Sequence, residues 1–528
     1  MTSSYDICIV GSGITGTLTA EHFVRQGAKV VMIERGRGMY LPDKPEEYWF
    51  EDWKVISENP LLTKNTWQGA EKYFDDLVEI ENERREFAFH YNMKYGIGGS
   101  GAVWSGASWR LTPEDFRTRT LFGYGTDWPF GYDEISPYYD RVEEIFFTSG
   151  PKNIKNWPWK NKYKYPAFKQ SYLDKVVARH LAPEFVITPS PFSVKNTHPL
   201  DGGCVGAKTC VRRCPANARF RPDLHLLPSI VKNKNFTLLI GSPCLSINTV
   251  RSGKVDSVTI LRGDKLEKIR AKLFFLAANT IENQRILLNS PLPPEMKKLI
   301  GSGFASHGTM VLSITMNEPL FVGRGRPTTS SAINTLNHPL RSKINSYMLE
   351  IWNADFTIGS SPHAAFLNIR KKERQWGKTL FQKTLDADSR FAGVFIFEVE
   401  MNNANKISLS SVKDRYGRPF ARARVALSKR DRKTFEHLGK MVELIKNKPG
   451  VKEVQVKGYG LNGNHPLGGY RAGLDPSSSV VDPWMRSHHL KNLYILGGGA
   501  FNSTGALNPT HTIAALTLKA LDDRRIYL

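Results

Sequence analysis

Gly11, Gly13 and Gly16 recur at the spacing of a phosphate-cradling turn, and Glu34 follows the last of them by 18 residues. In that pattern the first glycine makes the tight turn and the second lets backbone approach a pyrophosphate. The third lets a helix pack against a strand, and the carboxylate accepts a hydrogen bond from a ribose hydroxyl. The ligand so implied is a dinucleotide with an unphosphorylated adenosine ribose; these residues alone do not separate FAD from NAD. A second reactive set is Cys204, Cys210 and Cys214, spaced C-x5-C-x3-C with Pro215 after the last. Three thiolates on a tight loop can hold an iron–sulfur cluster, and Lys208, Arg212 and Arg213 would offset its charge. Zinc with a fourth ligand such as Cys244, a disulfide, and a loop that binds nothing are the competing readings. Cys8 lies in an apolar run and reads as a small buried hydrophobe.

The glycine turn needs a strand before it and a helix after it. The apolar run from Ile7 to Val10, a helical segment to about Gln26 and a second apolar run from Val30 to Ile33 supply strand, turn, helix and strand in order. Residues 40–90 are rich in aromatic and charged side chains without a clear period, and read as helical or irregular cover over the dinucleotide. Glycines at 96, 98, 99, 101 and 106 mark backbone that passes close to a flat or phosphorylated group. After them, Asp133 is positioned to cap a helix that runs past Pro137. Residues 311 to about 455 turn β-rich, with two strand-like runs joined at Asp414-Arg415-Tyr416-Gly417.

A chain of 528 residues, 41% hydrophobic, fills two to four globular domains. Its first strand begins at Tyr5, leaving no room for an export signal, and no apolar run is long enough to span a membrane. The expected location is the cytoplasm, unless the chain leaves bound to a second subunit that carries an export signal. The net charge of +23 raises the question of nucleic acid, most directly at residues 152–169, where lysines alternate with Trp157, Trp159, Tyr163 and Tyr165. The prolines and asparagines there suit a solvated excursion better, and no nucleic-acid partner is expected. Five cysteines in a chain this long are no disulfide framework.

Three blocks together resemble the glucose-methanol-choline (GMC) flavin oxidoreductases. They are the opening glycine turn, GGSGAVWSG with the WPF-Y-EISPYYDRVE segment behind it, and the stretch from Gly463 to Leu521. The resemblance implies an α/β fold: a Rossmann-like FAD-binding domain from 1–150, 203–310 and 456–528, and an α+β substrate-binding domain from 151–202 and 311–455. It implies FAD, held by Gly11, Gly13, Gly16, Glu34, Gly98, Gly99, Gly499 and Pro509. Some relatives carry a histidine in the glycine loop that bonds covalently to flavin; Ala102-Val103-Trp104 stands there in this chain, so FAD is expected to be held noncovalently. The catalytic base falls on His465, with Asn508 beside it as partner to the substrate oxygen, although Asn508-Pro509 also suits a helix cap and first turn. His488, His489 and His511 lack this support and His307 is unassigned. The cysteine spacing is similar to that of the [3Fe-4S]-bearing bacterial sugar dehydrogenases of the family, which implies Cys204, Cys210 and Cys214 as ligands and a cytochrome or small electron-transfer subunit as partner. The expected activity is oxidation of a hydroxyl on a sugar, sugar acid or glycoside by a dehydrogenase. The alternative is an oxidase using O2 in a biosynthetic pathway, such as 6'-alcohol oxidation of a precursor like paromamine.

Overall fold

The computed structural model describes residues 5–36, 78–82, 87–89, 91–154, 163–208, 210, 214–354, 362–371, 373–414 and 416–526. The cover expected at 40–90, the core of the basic segment at 155–162, and Arg212 and Arg213 lie mostly or wholly outside them. Two large sheets organise the rest. The first is built on β1 (Tyr5–Val10), which pairs in parallel with β2 (Val30–Ile33) on one side and β10 (Lys265–Leu276) on the other. Beyond β2 lies β7 (Phe236–Leu239), and β18 (Leu493–Ile495) also pairs in parallel with β10. The first half of β10 turns antiparallel against β9 (Lys254–Arg262), which pairs with β8 (Cys244–Val250). Strands covered on both faces need continuous apolar runs. Ile7, Cys8, Ile9, Val30, Val31 and Phe275 are accordingly fully buried, and Cys8 is the core residue its sequence context predicts.

Helix Ile14–Arg25 follows the glycine turn and packs back on this sheet. Gly11 has φ of +106°, and a Cβ on Gly16 would stand 2.0 Å from the Gly11 carbonyl oxygen. The third glycine therefore permits the helix–strand approach. Gly16→Ala is expected to cost ~1–3 kcal/mol through overpacking and to lower the flavin-to-protein ratio on purification. A native ratio and an unchanged melting temperature would contradict this close-packing role.

The second sheet runs β17–β11–β14–β13–β12–β6, antiparallel throughout. Its members are β6 (Ile187–Pro189), β11 (Gly308–Met316), β12 (Thr328–Ala332), β13 (Tyr347–Trp352), β14 (Arg390–Phe397) and β17 (Val451–Leu461). The expected domain limits at 310 and 456 cut through β11 and β17. Their ladder is unbroken from Gly308↔Leu461 to Met316↔Val451 apart from two bulges, so both strands belong whole to this sheet. Two smaller sheets complete the fold. In one, β3 (Val78–Asn82) lies parallel to β16 (Pro419–Val425), which pairs with β15 (Lys406–Lys413). In the other, β4 (Ser149–Gly150) meets β5 (Tyr165–Pro166). A segment from the first third of the chain is thus tied to the second domain.

Two caps differ from expectation. Helix Tyr132–Ile145 starts after Gly131, whose N–H donates to Glu134 at 3.0 Å, so Asp133 is a first-turn residue rather than the cap. Helix Thr510–Leu521 is capped by Pro509 without any side-chain bond, which leaves the Asn508 side chain free of capping duty. Among the described residues no helix is long and apolar enough to cross a membrane.

Candidate active site

A cavity of about 650 Å³ runs from the glycine turn to the face of the second sheet. At its first end lie Gly11, Gly13, Ile14, Thr15 and Glu34. A Cβ on Gly13 would meet nothing within 4 Å, and no side chain caps the helix amides that begin at Ile14. Open backbone at a helix N-terminus suits a pyrophosphate. Glu34 is buried, which pushes its carboxyl up, and four donors oppose that shift. Oε2 accepts from Ser12 N at 3.1 Å and Ser12 Oγ at 2.6 Å, and Oε1 from Gly36 N at 2.8 Å and Gly96 N at 3.1 Å. With both oxygens engaged twice, a ribose hydroxyl would reach Glu34 by taking the place of the mobile donor, Ser12 Oγ. The residues present fit a dinucleotide.

The glycine loop covers this end. Gly98 and Gly99 have φ of +84° and +49°; Gly99, Ser100 and Gly101 line the cavity, while Gly98 sits behind, where a Cβ would stand 2.8 Å from Asp223. Trp104 is anchored by its indole N–H to the Phe220 carbonyl at 2.9 Å. Gly499 also differs from expectation. A Cβ there would fall 1.9 Å from the Tyr470 ring, so it serves packing, and the wall of that turn is Gly497 and Gly498. Gly16 likewise acts behind the wall, whereas Pro509 lines it.

At the far end the cavity is lined by His465, Asn508 and the second sheet. The antiparallel pairing of β11 with β17 brings His465 into place, because it continues past the strand ends. Asn462 N donates to the His307 carbonyl at 2.8 Å, and Ala305 and Leu467 exchange backbone bonds at 2.8 Å. Two imidazoles 158 residues apart thereby meet, with His307 Nδ1 and His465 Nδ1 separated by 2.9 Å. His307 Nε2 lies 3.0 Å from the Thr504 carbonyl oxygen, which only an N–H can satisfy. Burial pushes the fully buried His307 down to about 4, against the pull of that carbonyl, so its ring is neutral and Nδ1 carries a lone pair. That lone pair requires a proton on His465 Nδ1. Burial, then the neighbouring His307, hold His465 well below the usual imidazole range. The remaining nitrogen, Nε2, is a lone pair, the form a general base needs. Asn462 Nδ2, at 3.3 Å from His465 Nδ1, is a longer contact to a nitrogen whose electrons are not available.

The Asn508 side chain lies close enough to Glu350 to pull its carboxyl down, and the buried Asn508 Oδ1 has no partner. Neither His307 nor Glu350 was assigned from the sequence. Glu350 was visible as a charge inside an apolar strand, YMLEIW; His307 needed the β11–β17 register. His511 is a core residue, fully buried, set at 3.3 Å from Thr148 Oγ1 and pushed down to about 3 by burial.

The cysteine loop does not form the expected ligand set. Cys204, Cys210 and Cys214 are free thiols, and among the described residues no three His, Cys, Asp or Glu converge to hold a metal ion. Cys204 Sγ instead lies 3.7 Å from Arg326 Nη1 and 3.5 Å from Gly206 N. Metal ligation requires thiolates. Burial raises the Cys210 thiol even though Arg326 and Arg219 pull it down, and Cys204 and Cys214 lie near enough to raise it further. Cys244, the suggested fourth zinc ligand, is buried in β8 and pushed up to about 12 by burial. The iron–sulfur reading is therefore unsupported among the described residues, and no step is derived through a cluster.

A family model described as GMC oxidoreductase matches residues 402–517. The chain is 28% identical to the fructose dehydrogenase large subunit of Gluconobacter japonicus over 99% of this chain and 98% of that one. It is 26% identical to paromamine 6'-oxidase of Streptomyces fradiae over 98% and 90%. Its fold superposes on pyridoxine 4-oxidase from Mesorbium loti with a TM-score of 0.68 at 16% identity, covering 99% of this chain and all of that one. With a dinucleotide cradle at one end of its cavity and an unprotonated imidazole nitrogen at the other, the chain is similar along its whole length to FAD-dependent oxidoreductases that act on CH–OH groups, and its residues 402–517 match the GMC oxidoreductase family.

Proposed function

We propose that this protein oxidises a hydroxyl of a sugar, sugar acid or glycoside to the carbonyl and works as a dehydrogenase. The observation that carries this reading is the chain Thr504 O, His307, His465, which ends in an unprotonated Nε2 inside the cavity. Bound FAD supplies the acceptor for the hydride that leaves the carbinol carbon. Gly11, Gly13, Glu34 and the Gly99–Gly101 loop would hold it, and Pro509 with the head of helix Thr510–Leu521 lines the same cavity. His465 Nε2 takes the hydroxyl proton. The Asn508 amide, beside Glu350, donates to the same substrate oxygen. His307 acts through His465 as a positioning residue, by fixing its tautomer. Similarity to a protein named as a large subunit supports a small companion subunit that carries electrons onward.

A second reading, oxidation of a primary hydroxyl of an aminoglycoside precursor with O2 as acceptor, is favoured by similarity to paromamine 6'-oxidase. One experiment separates them. Purified flavoprotein is titrated anaerobically with sugars, sugar acids and aminoglycoside precursors while flavin absorbance is followed, and air is then admitted. Bleaching by a sugar with slow reoxidation in air is expected. Fast reoxidation assigns the oxidase, and no bleaching by any hydroxyl compound overturns the function. Acid precipitation of the same sample is expected to release all the flavin, because Ala102-Val103-Trp104 offers no imidazole to bond it. Flavin retained on the precipitate would contradict noncovalent binding.

A further inference from the structure

The substrate end of the cavity has a floor of strand residues that alternate by two: Thr309 and Val311 on β11, Val394 and Ile396 on β14, Glu350 and Trp352 on β13. The ladder places Val311 opposite Val394 and Val394 opposite Glu350, so one row across the sheet reads Val, Val, Glu. A carboxylate in such a row is costly unless something answers its charge. Among the described residues the other buried glutamates each have an arginine or several donors. Glu143 has Arg110 at 2.7 Å, Glu282 has Arg285 at 3.2 Å, Glu398 has Arg341 at 3.7 Å, and Glu34 has four donors. Glu350 has two neutral neighbours, the Trp352 indole N–H at 3.1 Å and the Asn508 side chain. Among the described residues no lysine or arginine is paired with it. Among the described residues, the cationic side chains that line the cavity are Arg35 and Lys94, and both belong to the dinucleotide end. Arg35 pairs with Glu282 at 3.4 Å and stacks on Tyr95; Lys94 follows Met93 into the glycine loop, its backbone N–H on Ser100 Oγ at 3.1 Å.

Resting on the oxidation reading above, we infer that Glu350 sets specificity, as an anionic anchor for an ammonium group carried by the substrate near the hydroxyl that is oxidised. Asn508 joins the two tasks, since it lies against Glu350 and borders the base. An ammonium donates up to three bonds and cancels the charge, whereas a sugar hydroxyl fills one lone pair and leaves the charge buried. A substrate carboxylate would face Glu350 with no cation to offset it, so sugar acids are rejected and amino sugars or amino polyols preferred. Burial pushes Glu350 up to about 7, against the pull of the Trp352 and Asn508 side chains.

The test uses the FAD-loaded protein and two readouts. Thermal unfolding is measured with cyclohexylamine, which has the cation and no hydroxyl, and with cyclohexanol. Anaerobic flavin bleaching is measured with glucosamine, N-acetylglucosamine, glucose and gluconate. The expected result is protection by cyclohexylamine alone, and bleaching about ten- to hundredfold faster with glucosamine than with its N-acetyl form, the worth of one charged hydrogen bond. Both preferences should vanish in Glu350→Gln; if that variant retains no flavin, the wild-type comparison of amine with neutral partner decides by itself. Equal protection by cyclohexanol, or bleaching indifferent to the amine, overturns the anchor while leaving hydroxyl oxidation intact. Protection by cyclohexylamine without bleaching by any hydroxyl compound keeps the anchor and overturns the oxidation reading.

Discussion

Replacing His465 with alanine is expected to slow substrate-driven flavin bleaching by ~10²–10⁴-fold, the usual contribution of a positioned general base, with FAD still bound. Unchanged bleaching would remove His465 from the mechanism. His307→Ala should lose about tenfold, the worth of one hydrogen bond, because the proton on His465 is then free to move to Nε2. His307→Gln keeps an amide oxygen that can accept from His465 Nδ1, so it should recover most of the rate; a purely structural His307 would show no such rescue. The pH profile carries a second check. His465 lies well below the usual imidazole value, so its base form persists through neutral pH and its acid limb in kcat/KM must fall below pH 6.5. A limb near 7 would belong to Glu350 and should disappear in Glu350→Gln.

Arg341→Met is expected to cost about 3–5 kcal/mol, as breaking a buried pair does when a charge is left behind. Arg341 is fully buried between Asp115, from the segment before helix Tyr132–Ile145, and Glu398, just past β14. It therefore joins the two domains. Tyr124 donates to Glu398 at 2.6 Å, and Arg430 lies near enough to pull the same carboxyl down. Burial nevertheless pushes Glu398 up to about 7, above the usual 4.5. For a carboxyl raised on folding, its contribution to stability is full below about 4.5 and is lost as the pH rises through 7. Without Arg341 the carboxylate is opposed less well, so the variant should be weakest near pH 8 and recover in part near pH 6. Urea unfolding at the two pH values checks this. A loss under 1 kcal/mol, or greater stability at pH 8, would mean that Arg341 is not the counter-charge of Glu398.

The dinucleotide turn was legible because its information is local: three glycines, two apolar runs and an acid all fall between Tyr5 and Glu34, and steric exclusion at Gly16 leaves little choice of residue. His465 was legible through the pattern of its surroundings. His307 was not, because its meaning depends on a strand register that joins positions 158 residues apart. The cysteine spacing carries less. Separation along the chain is a necessary condition for shared ligation, whereas a ligand geometry depends on how the loop turns, and no metal-binding group is seen among the described residues. The domain limits fall inside β11 and β17 because the pairing of these two strands, unlike their own composition, decides where the second sheet begins and ends.

The order of strands in the first sheet also bears on when the enzyme becomes able to take up its cofactor. β1 and β2 leave the ribosome early, yet β10 ends at Leu276 and β18 at Ile495. The residues that close the catalytic end, His465 and Asn508, come later than all but the last part of the chain. At ~5–20 residues per second, the strand before the glycine turn waits roughly ten seconds to a minute for β10. During that interval its apolar strand edges are exposed, and FAD has only a fragment of its site to bind. The complete cavity exists only once the C-terminal part of the chain, with His465 and Asn508, has joined the first sheet.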